Sequence, residues 1–352
     1  MTSVASPHGV IVGSIALDSI ETPFGSAEET LGGAAVYASL AASLLCPATN
    51  DCRLPTADCG GAGIGIVGVV GGDFPQEHLD LLAARGVNLE GVQRVSEGES
   101  FHWSGRYVGD MGGAETLETR LGVFGDFAPQ LPLAYRGADV LFLANIQPSL
   151  QLSVLEQTVG GNNGSQPFVL CDTMNFWIEG AREELLEVLR RVDLVLLNDA
   201  EVRQLTGLHG IAAGVERMLE WGPQHVVVKR GEHGVSLTSG IRRQASGVRD
   251  GRETAREREG GLTHCFVPAY PTQAVRDPTG AGDTFAGGVM GYLCRVGKIN
   301  ETALRRAMIC GTALASIAVE SLGVGALAKA TLDDVRARAA ALTGMSVEPL
   351  EL

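Results

Sequence analysis

The sequence predicts an α/β fold in which helices cover both faces of a doubly wound, mainly parallel sheet. Short apolar segments alternate with helical patterns along most of the 352 residues, and the later apolar segments are almost continuously hydrophobic. Such runs are typical of parallel strands whose two faces are both covered. The strand–helix–strand rhythm also favours one parallel sheet, with ligands expected beyond the carboxyl ends of its strands.

Six apolar segments predict the strands of this sheet, and five segments with helical spacing lie between them. The strand segments are GVIVGSIAL, GIGIVGVVG, DVLFLANI, PFVLCDT, VDLVLLND and QHVVVKRG. The helical segments are AAVYASLAASLL, QEHLDLLAARG, SLQLSVLEQTV, AREELLEVLRRV and GVERMLEWG. Asn145 lies at the end of the third strand segment and Asn175 just beyond the fourth, so both are candidate substrate contacts at the ligand-binding edge.

The stretch between residues 97 and 127 breaks this rhythm, because polar residues alternate there with aromatic and aliphatic ones between glycine-rich turns. The pattern predicts a small antiparallel sheet, to which residues 14–31 are expected to add strands. We therefore expect one domain over residues 1–352, with a β-sheet lid built from these two segments. Phe101 and Trp103 share one side of the lid, where stacking on a nucleobase and packing within the lid are equally open. Arg106 is a third candidate substrate contact.

Composition and charge exclude several classes of function. A formal net charge of −14 argues against a nucleic acid or an anionic membrane as the main partner, although it does not exclude an anionic ligand. No apolar run is long enough to span a membrane, and the first residues lack a secretory signal, so we expect a cytoplasmic protein. The seven cysteines include no C-x-x-C pair and are expected to be free thiols.

Two segments have the composition of surface insertions. Residues 46–63 are rich in Pro, Gly, Asn and Asp, which is typical of a loop. Residues 240–264 carry six arginines against four acids between two strand-like segments. That charge pattern favours a solvated hairpin extension over an RNA-binding loop.

Two common nucleotide-binding motifs are weak or missing. GIGIVG, residues 63–68, matches G-x-G-x-x-G, but a dinucleotide fingerprint follows a strand and opens a helix, whereas this segment is itself predicted as a strand. The sequence contains no G-x-x-x-x-G-K-[ST] motif, so any bound phosphate is not held by a P-loop.

The stretch DPTGAGDTFAGG, residues 277–288, offers a different way to bind phosphate. Gly280 and Gly282 leave the backbone uncovered, and their N–H groups, with those that open the following helix, can converge on one anion. The simpler interpretation makes Asp283 the N-cap of that helix and the glycines a tight turn. Capping accounts for the aspartate but not for two glycines that flank an alanine directly before it.

This stretch resembles the C-terminal signature of the ribokinase-like (PfkB-type) carbohydrate and nucleoside kinases, and the resemblance extends over nearly the whole chain. LGGAAVYASLAASL is similar to the N-terminal Gly-Gly signature, LNDAEVRQLTG contains the N-x-x-E spacing, and VVVKRGEHGV resembles the strand and G-x-x-G turn near the nucleotide. One departure is the segment from Ala34 to Tyr37, where family members commonly carry Asn or Lys. The resemblance implies a ribokinase-like fold.

The resemblance also implies roles for individual residues. Asp283 would be the general base, and Glu201 with Asn198 would organise Mg²⁺ through water. Asp277 is a candidate ligand for a monovalent cation such as K⁺. The N–H groups of an anion hole for the transferred phosphoryl group would come from Gly280, Ala281, Gly282 and Asp283. The residues expected at the substrate are Asp18, Gly32 and Gly33. The residues expected near the nucleotide are Lys229, Gly231, Gly234 and Thr279.

The function implied by this resemblance is the ATP-dependent phosphorylation of a primary hydroxyl of a sugar or nucleoside, with Mg²⁺ as cofactor. Two alternatives stay open: a kinase of the same fold that acts on a hydroxymethylpyrimidine or similar vitamin precursor, and a nucleotide-binding regulator without catalysis. Lids in this family often pair, so a homodimer through the lid is a further expectation. The acceptor itself is not identified by the sequence.

Overall fold

In a computed structural model that describes residues 6–48, 63–109, 111–158, 166–240 and 261–345, the predicted fold class is confirmed. A nine-stranded, mainly parallel sheet has helices on both faces, and a separate four-stranded sheet is also present. Most of the two predicted insertions, residues 46–63 and 240–264, lies outside the described residues. No helix in the described ranges is both long enough and apolar enough to cross a bilayer.

The strands and helices of the described residues follow each other in a βαβ rhythm. In chain order, the strands are β1 (Gly9–Val12), β2 (Ala16–Thr22), β3 (Gly25–Gly32), β4 (Ile64–Gly71), β5 (Val87–Val95), β6 (Phe101–Tyr107), β7 (Ala114–Arg120), β8 (Val140–Leu143), β9 (Phe168–Asp172), β10 (Leu194–Asn198), β11 (His225–Lys229), β12 (Val235–Gly240) and β13 (Leu262–Val267). The helices are α1 (Ala34–Leu45), α2 (Gln76–Ala84), α3 (Pro148–Gln157), α4 (Asn175–Gly180), α5 (Arg182–Leu189), α6 (Asp199–Thr206), α7 (Ile211–Trp221), α8 (Ala281–Val296), α9 (Glu301–Ala318), α10 (Gly325–Lys329) and α11 (Leu332–Gly344).

The large sheet has the strand order β13-β12-β11-β10-β9-β8-β1-β4-β5. The seven strands from β11 to β5 are parallel, and β12 and β13 are antiparallel additions at one edge. Successive residues of each strand point to opposite faces of the sheet, and each face has its own hydrophobic core. Ile11 lies in the core that contains α1, α2 and α8 to α11, whereas Val10 and Val12 lie in the core with α3 to α7.

The four-stranded sheet has the order β3-β2-β6-β7 and differs from the predicted antiparallel sheet. Its two hairpins, β2–β3 and β6–β7, are antiparallel, but they join through the parallel pair β2–β6. A parallel pair is possible because β3, α1, β4, α2 and β5 separate the two strands in the chain and form the long crossover that it needs. β7 is an edge strand with every residue exposed, and the homodimer expected through the lid stays a prediction.

Two further differences concern the strands themselves. The apolar run GVIVGSIAL was expected to be one strand, but β1 ends at Val12 and the run continues as β2 in the other sheet. Strand β5 was not predicted, because at the sheet edge its residues alternate irregularly between buried and exposed. GIGIVG lies within β4, as expected, and therefore does not open a helix.

Candidate active site

The site candidates are brought together because helices α1 and α8 lie against each other and run in the same direction. A Cβ on Gly287 would overlap the backbone of Ala38, and one turn later a Cβ on Gly291 would lie 2.6 Å from the carbonyl oxygen of Ala42. The absence of side chains at these two glycines permits this close approach. As a result, the Gly-Gly segment before α1 lies near the DPTGAGD turn before α8.

The DPTGAGD turn leaves two backbone donors free at the start of α8. Gly280 has the left-handed conformation, with φ 69°, and α8 begins at the next residue. Asp283 lies inside the first turn, so the interpretation of Asp283 as N-cap is wrong. The N–H of Ala281 donates to the Pro278 carbonyl at 3.1 Å, and the carboxylate of Asp283 accepts from its own N–H. The N–H groups of Gly280 and Gly282 have no acceptor among the described residues.

Asp277 anchors this turn to the rest of the protein. It is buried, and its two carboxylate oxygens accept N–H groups from Thr279 at 2.9 Å and from Gly323 at 2.8 Å. The hydroxyl of Thr279 donates to the Tyr107 hydroxyl of β6 at 3.2 Å, which connects the turn to the four-stranded sheet. A monovalent cation at Asp277 stays a prediction.

Three neighbouring parallel strands end on polar residues beside the turn. β9, β10 and β11 end at Asp172, Asn198 and Lys229, respectively. The Lys229 ammonium forms an ion pair with Asp172, with an Nζ–Oδ2 distance of 2.7 Å. A Cβ on Gly282 would lie 3.2 Å from the same Nζ, so the ammonium also lies next to the turn. Burial opposes the charge of Lys229, but the carboxylates of Asp172 and Glu201 outweigh it and raise its pKa.

Asn198 and Glu201 form a capping box at the start of α6. The Glu201 N–H donates to Asn198 Oδ1 at 2.8 Å, and the Asn198 N–H donates to Glu201 Oε2 at 2.7 Å. Their N-x-x-E spacing is therefore also the spacing of a structural cap. Burial raises the pKa of Glu201 to about 7, with Lys229 opposing and Asp172 adding to the shift. No group of three or more His, Cys, Asp or Glu side chains in the described ranges is arranged to hold a metal ion.

Asp283 has the protonation behaviour of a base that works near neutral pH. Burial raises its pKa to about 6, the charge of Asp172 adds to that shift, and Lys229 and the N–H of Asp283 itself oppose it. Most of this carboxyl is ionised at pH 7, yet it binds a proton more strongly than an ordinary aspartate does.

Asp18, in β2, accounts for the small residues of the Gly-Gly segment. Its buried carboxylate accepts the N–H of Gly33, and a Cβ on Gly32 would overlap that carboxylate. Gly33 has φ 95°, and a side chain there would clash with the backbone of Ser14. The two glycines were expected at the substrate. In the structure, the absence of their side chains makes room for the Asp18 carboxylate and the Ser14 backbone. Burial raises the pKa of Asp18 to about 7, with Gly33 lowering it and Asp277 adding to the shift.

One face of the four-stranded sheet carries Asp18 together with aromatic residues. In the parallel pair β2–β6, Asp18 is the partner of Trp103, so both side chains lie on the same face, here called the inner face. The half-buried indole of Trp103 lies over Gly105, where a Cβ would overlap the ring. Phe101 is on this face too, but its ring stacks on Phe124 with centroids 5.1 Å apart.

Three predicted substrate residues do not join this group. Arg106 has the opposite parity on β6, is exposed, and pairs with Glu21 at 2.6 Å. Both ends of the Asn145 amide are in use: its oxygen accepts the Trp177 indole N–H at 3.0 Å, and its nitrogen faces a methionine sulfur at 3.1 Å. Asn175 is the exposed first residue of α4.

In the G-x-x-G turn after β11, both glycines adopt backbone conformations that other residues rarely adopt. Gly231 and Gly234 both have positive φ angles, of 53° and 82°. A Cβ on Gly234 would overlap the Val267 carbonyl oxygen of β13, whereas the space around Gly231 is open. Of the two positions, only Gly231 therefore leaves room for an approaching ligand.

Three residues of the site were not among the predicted site residues. Asp172 ends a predicted strand, and the rule that ligands bind beyond strand ends could have indicated it. Tyr107 shares the parity of Phe101 and Trp103 on β6, which could also have been read from the sequence. Tyr37, whose ring lies directly against Gly280 of the turn, gave no signal beyond its departure from the residues common in the resembling family.

The comparisons with known proteins confirm the family resemblance. A family model described as pfkB family carbohydrate kinase matches residues 26–331. The chain is 28% identical over 288 residues to a cytidine kinase of Thermococcus kodakarensis, covering 80% of this chain and 87% of that protein.

The fold is shared with solved structures at lower identity. The nucleoside kinase of Methanocaldococcus jannaschii, described as an archaeal member of the ribokinase family, aligns with a TM-score of 0.67 at 18% identity, covering 96% of this chain and 99% of that one. A ribokinase-type protein of E. coli, solved with ATP and Mg²⁺, aligns with a TM-score of 0.66 at 19% identity, covering 94% and 98%. Because the family match spans most of its length, the chain belongs to the pfkB family of carbohydrate kinases.

Proposed function

We propose that the protein transfers the γ-phosphoryl group of ATP to a primary hydroxyl of a nucleoside or sugar. The observation that carries this proposal is the start of α8. There the half-buried Asp283 follows Gly282, whose N–H group has no acceptor among the described residues, and the ammonium of Lys229 lies beside both. The ATP and Mg²⁺ in the related E. coli structure support the choice of phosphoryl donor.

Asp283 is the general base of the proposed reaction. The acceptor oxygen forms a bond to the γ-phosphorus, the bond to the β–γ bridging oxygen breaks, and ADP leaves. The hydroxyl proton goes to the Asp283 carboxylate, whose raised pKa of about 6 makes it a better proton acceptor than an ordinary aspartate. General-base assistance of this kind is worth about 10²- to 10⁴-fold in rate.

The charge on the transferred phosphoryl group is stabilised by groups already in place. Within the described part of the chain, the N–H groups of Gly280 and Gly282 have no acceptor, and both lie at the positive end of the α8 dipole. Asp172 holds the ammonium of Lys229 beside them through a 2.7 Å ion pair. Donors fixed before the reaction lower the barrier because they need no reorganisation as charge develops.

Glu201 and Asn198 fit the proposed Mg²⁺ role. When bound, Mg²⁺ neutralises charge on the β- and γ-phosphates. It usually keeps several waters and needs only one or two protein carboxylates, so a three-ligand protein cluster is not required. Burial disfavours the ionised form of Glu201, and a nearby cation would favour it. One Glu201 oxygen is held by the capping box, which fixes the side chain at the end of β10.

The acceptor is proposed to bind between Asp18 and the turn. The Asp18 carboxylate offers a hydrogen-bond acceptor to a sugar hydroxyl, and the indole of Trp103 lies on the same face, where it can stack on a nucleobase. The cytidine kinase among the relatives supports a nucleoside over a free sugar.

An acceptor panel tests the proposal. Cytidine, uridine, inosine, adenosine, ribose and fructose are incubated with ATP and Mg²⁺, ADP release is measured, and the product is analysed by ³¹P NMR. We expect the highest kcat/KM with a nucleoside and a phosphate on its primary hydroxyl. ADP release that does not depend on any acceptor would contradict the proposal. Turnover of a hydroxymethylpyrimidine alone would replace it with the vitamin-precursor alternative.

A further inference from the structure

Two free cysteines lie at the ends of α1 and α8 that point away from the candidate active site. Cys46 directly follows α1, and Cys294 lies in the last turn of α8. Asp283 lies in the first turn of α8, so the helical rise places Cys294 about 16 Å farther along the axis. The proposed phosphoryl transfer uses neither thiol.

The packing of α1 against α8 brings these two thiols together. The close approach of the two helices continues to their carboxyl ends, where the Arg295 guanidinium donates to the Leu45 carbonyl oxygen at 3.1 Å. Leu45 and Arg295 are the chain neighbours of Cys46 and Cys294. Both cysteines belong to the same hydrophobic core, and the Cys294 thiol donates a hydrogen bond to the Cys46 sulfur. The sulfur atoms are therefore in contact across the helix pair.

The two thiols can be reached by a small reagent and differ in reactivity. Cys46 and Cys294 keep 6% and 7% of their surface exposed, and Cys46 directly precedes the exposed Pro47. The hydrogen bond from Cys294 lowers the pKa of Cys46, and the charge of Arg295 adds to that shift, whereas burial and the charge of Asp139 oppose it. Burial raises the pKa of Cys294 well above its ordinary value. Because the thiolate is the reactive form, Cys46 reacts first.

We propose that a hydroperoxide oxidises Cys46 and that Cys294 then closes a reversible disulfide with it, which links the carboxyl ends of α1 and α8. A thiol with a lowered pKa next to a second thiol is the arrangement that peroxide-sensitive cysteines commonly have, and hydrogen peroxide is nearly as small as water. This site goes beyond the proposed function, because it modifies the fold and takes no part in the reaction.

The oxidation has two steps. The Cys46 thiolate attacks one oxygen of hydrogen peroxide, the O–O bond breaks, and the sulfur becomes a sulfenic acid while hydroxide leaves and takes the proton that the thiol released. The Cys294 sulfur then attacks the Cys46 sulfur, the S–O bond breaks, and the departing hydroxide leaves with the Cys294 proton as water. The thiol pair is oxidised by two electrons, and the peroxide is reduced to two waters.

The test treats the reduced wild-type protein with hydrogen peroxide and maps its peptides by mass spectrometry without reduction. We expect one peptide pair that joins Cys46 to Cys294, with a mass about 2 Da below the sum of the free peptides, and its loss on addition of dithiothreitol. A bond from Cys46 to Cys52 or Cys59, which lie outside the described residues, would overturn the proposal. Oxidation of Cys46 to a sulfinic acid without any bond would overturn it too.

Two serine variants test the order of the steps. In Cys294→Ser the hydroxyl can still donate to Cys46, but no second thiol is present, so the Cys46 peptide should gain about 32 Da through the sulfinic acid. In Cys46→Ser the Cys294 peptide should stay unmodified, and oxidation of Cys294 at the rate of the wild-type pair would refute the proposal. Cys171→Ser is the matched control, since Cys171 is buried with its thiol on Gln151, and the Cys46–Cys294 bond should form as in the wild type.

The melting temperature gives a readout that does not depend on the variants. Oxidation of the wild type should raise Tm by roughly 5 to 10 °C, because the bond closes a long loop of the unfolded chain, and dithiothreitol should reverse the rise. A lower Tm after the bond forms would show that the folded protein does not hold the two thiols in contact and would overturn the proposal. None of these measurements needs a phosphoryl acceptor, so this inference and the proposed function can fail separately.

Discussion

The carboxyl edge of the nine-stranded sheet and the inner face of the four-stranded sheet meet at one site but are built differently. The edge carries charges held by short contacts, such as the 2.7 Å ion pair of Lys229 with Asp172. The inner face carries one buried acid, Asp18, and aromatic rings from β6, which is far from β2 in the sequence but pairs with it in the sheet. In the proposed function, the edge performs phosphoryl transfer and the inner face selects the acceptor. Substitutions at the edge should therefore lower kcat, and those on the inner face should raise KM for the acceptor.

The largest expected effect is that of Asp283→Asn at the edge. Loss of the base should lower kcat about 10²- to 10⁴-fold, while ATP binding, measured by calorimetry, stays within about twofold. In the wild type at saturating acceptor, kcat should fall as pH drops below about 6, because the pKa of Asp283 lies there and the protonated acid cannot accept the proton. A variant with near wild-type turnover would show that another group takes the proton.

Lys229→Met should have the next largest effect. The loss of one charge donor is expected to lower kcat about 10²- to 10³-fold, and it also leaves Asp172 buried without its partner. Unpaired buried charges are destabilising, so Tm should fall as well.

The double variant Lys229→Met/Asp172→Asn separates these two effects. It removes both charges and should recover Tm but not kcat, since the phosphoryl group still lacks the ammonium. Recovery of kcat together with Tm would show that Lys229 is only a structural partner of Asp172.

Sequence reasoning found the edge more completely than the inner face, and the reason is physical. The DPTGAGD turn is contiguous, so Gly280, Gly282 and Asp283 are positioned by local backbone geometry that the sequence displays. The inner face depends on the parallel pairing of β2 with β6, which no local pattern encodes. The opposite parity of Arg106 on β6 could have been read from the sequence, but the face of the strand that carries Asp18 could not, because that depends on the pairing of β6 with β2. To predict the ion pair of Lys229 with Asp172, one would also have to know the strand order β9-β10-β11, which the sequence does not display.

On the inner face, Asp18→Asn should affect binding and stability in opposite directions. The loss of a charged hydrogen-bond acceptor is expected to raise KM for the acceptor on the order of 100-fold, with kcat changed much less. The contribution of Asp18 to the stability of the wild type should fall as pH rises from about 4 to about 7, because over that range the folded state binds a proton at Asp18 that the unfolded state has released. The Tm advantage of the variant should therefore grow over that range and then stay constant. A variant less stable than the wild type at pH 8 would contradict this account.

The smallest expected effect is that of Trp103→Ala, which tests whether the inner face recognises a nucleobase. Stacking on an aromatic ring is worth about tenfold in affinity, so KM for a nucleoside should rise by about that factor while KM for ribose, which has no base, stays unchanged. Phe101→Ala should instead lower Tm, because that ring stacks on Phe124. Arg106→Ala is the matched control, since its exposed pair with Glu21 lies on the opposite face and should leave both KM values within about twofold. If Trp103→Ala weakened ribose and nucleoside equally, the indole would support the lid rather than the base.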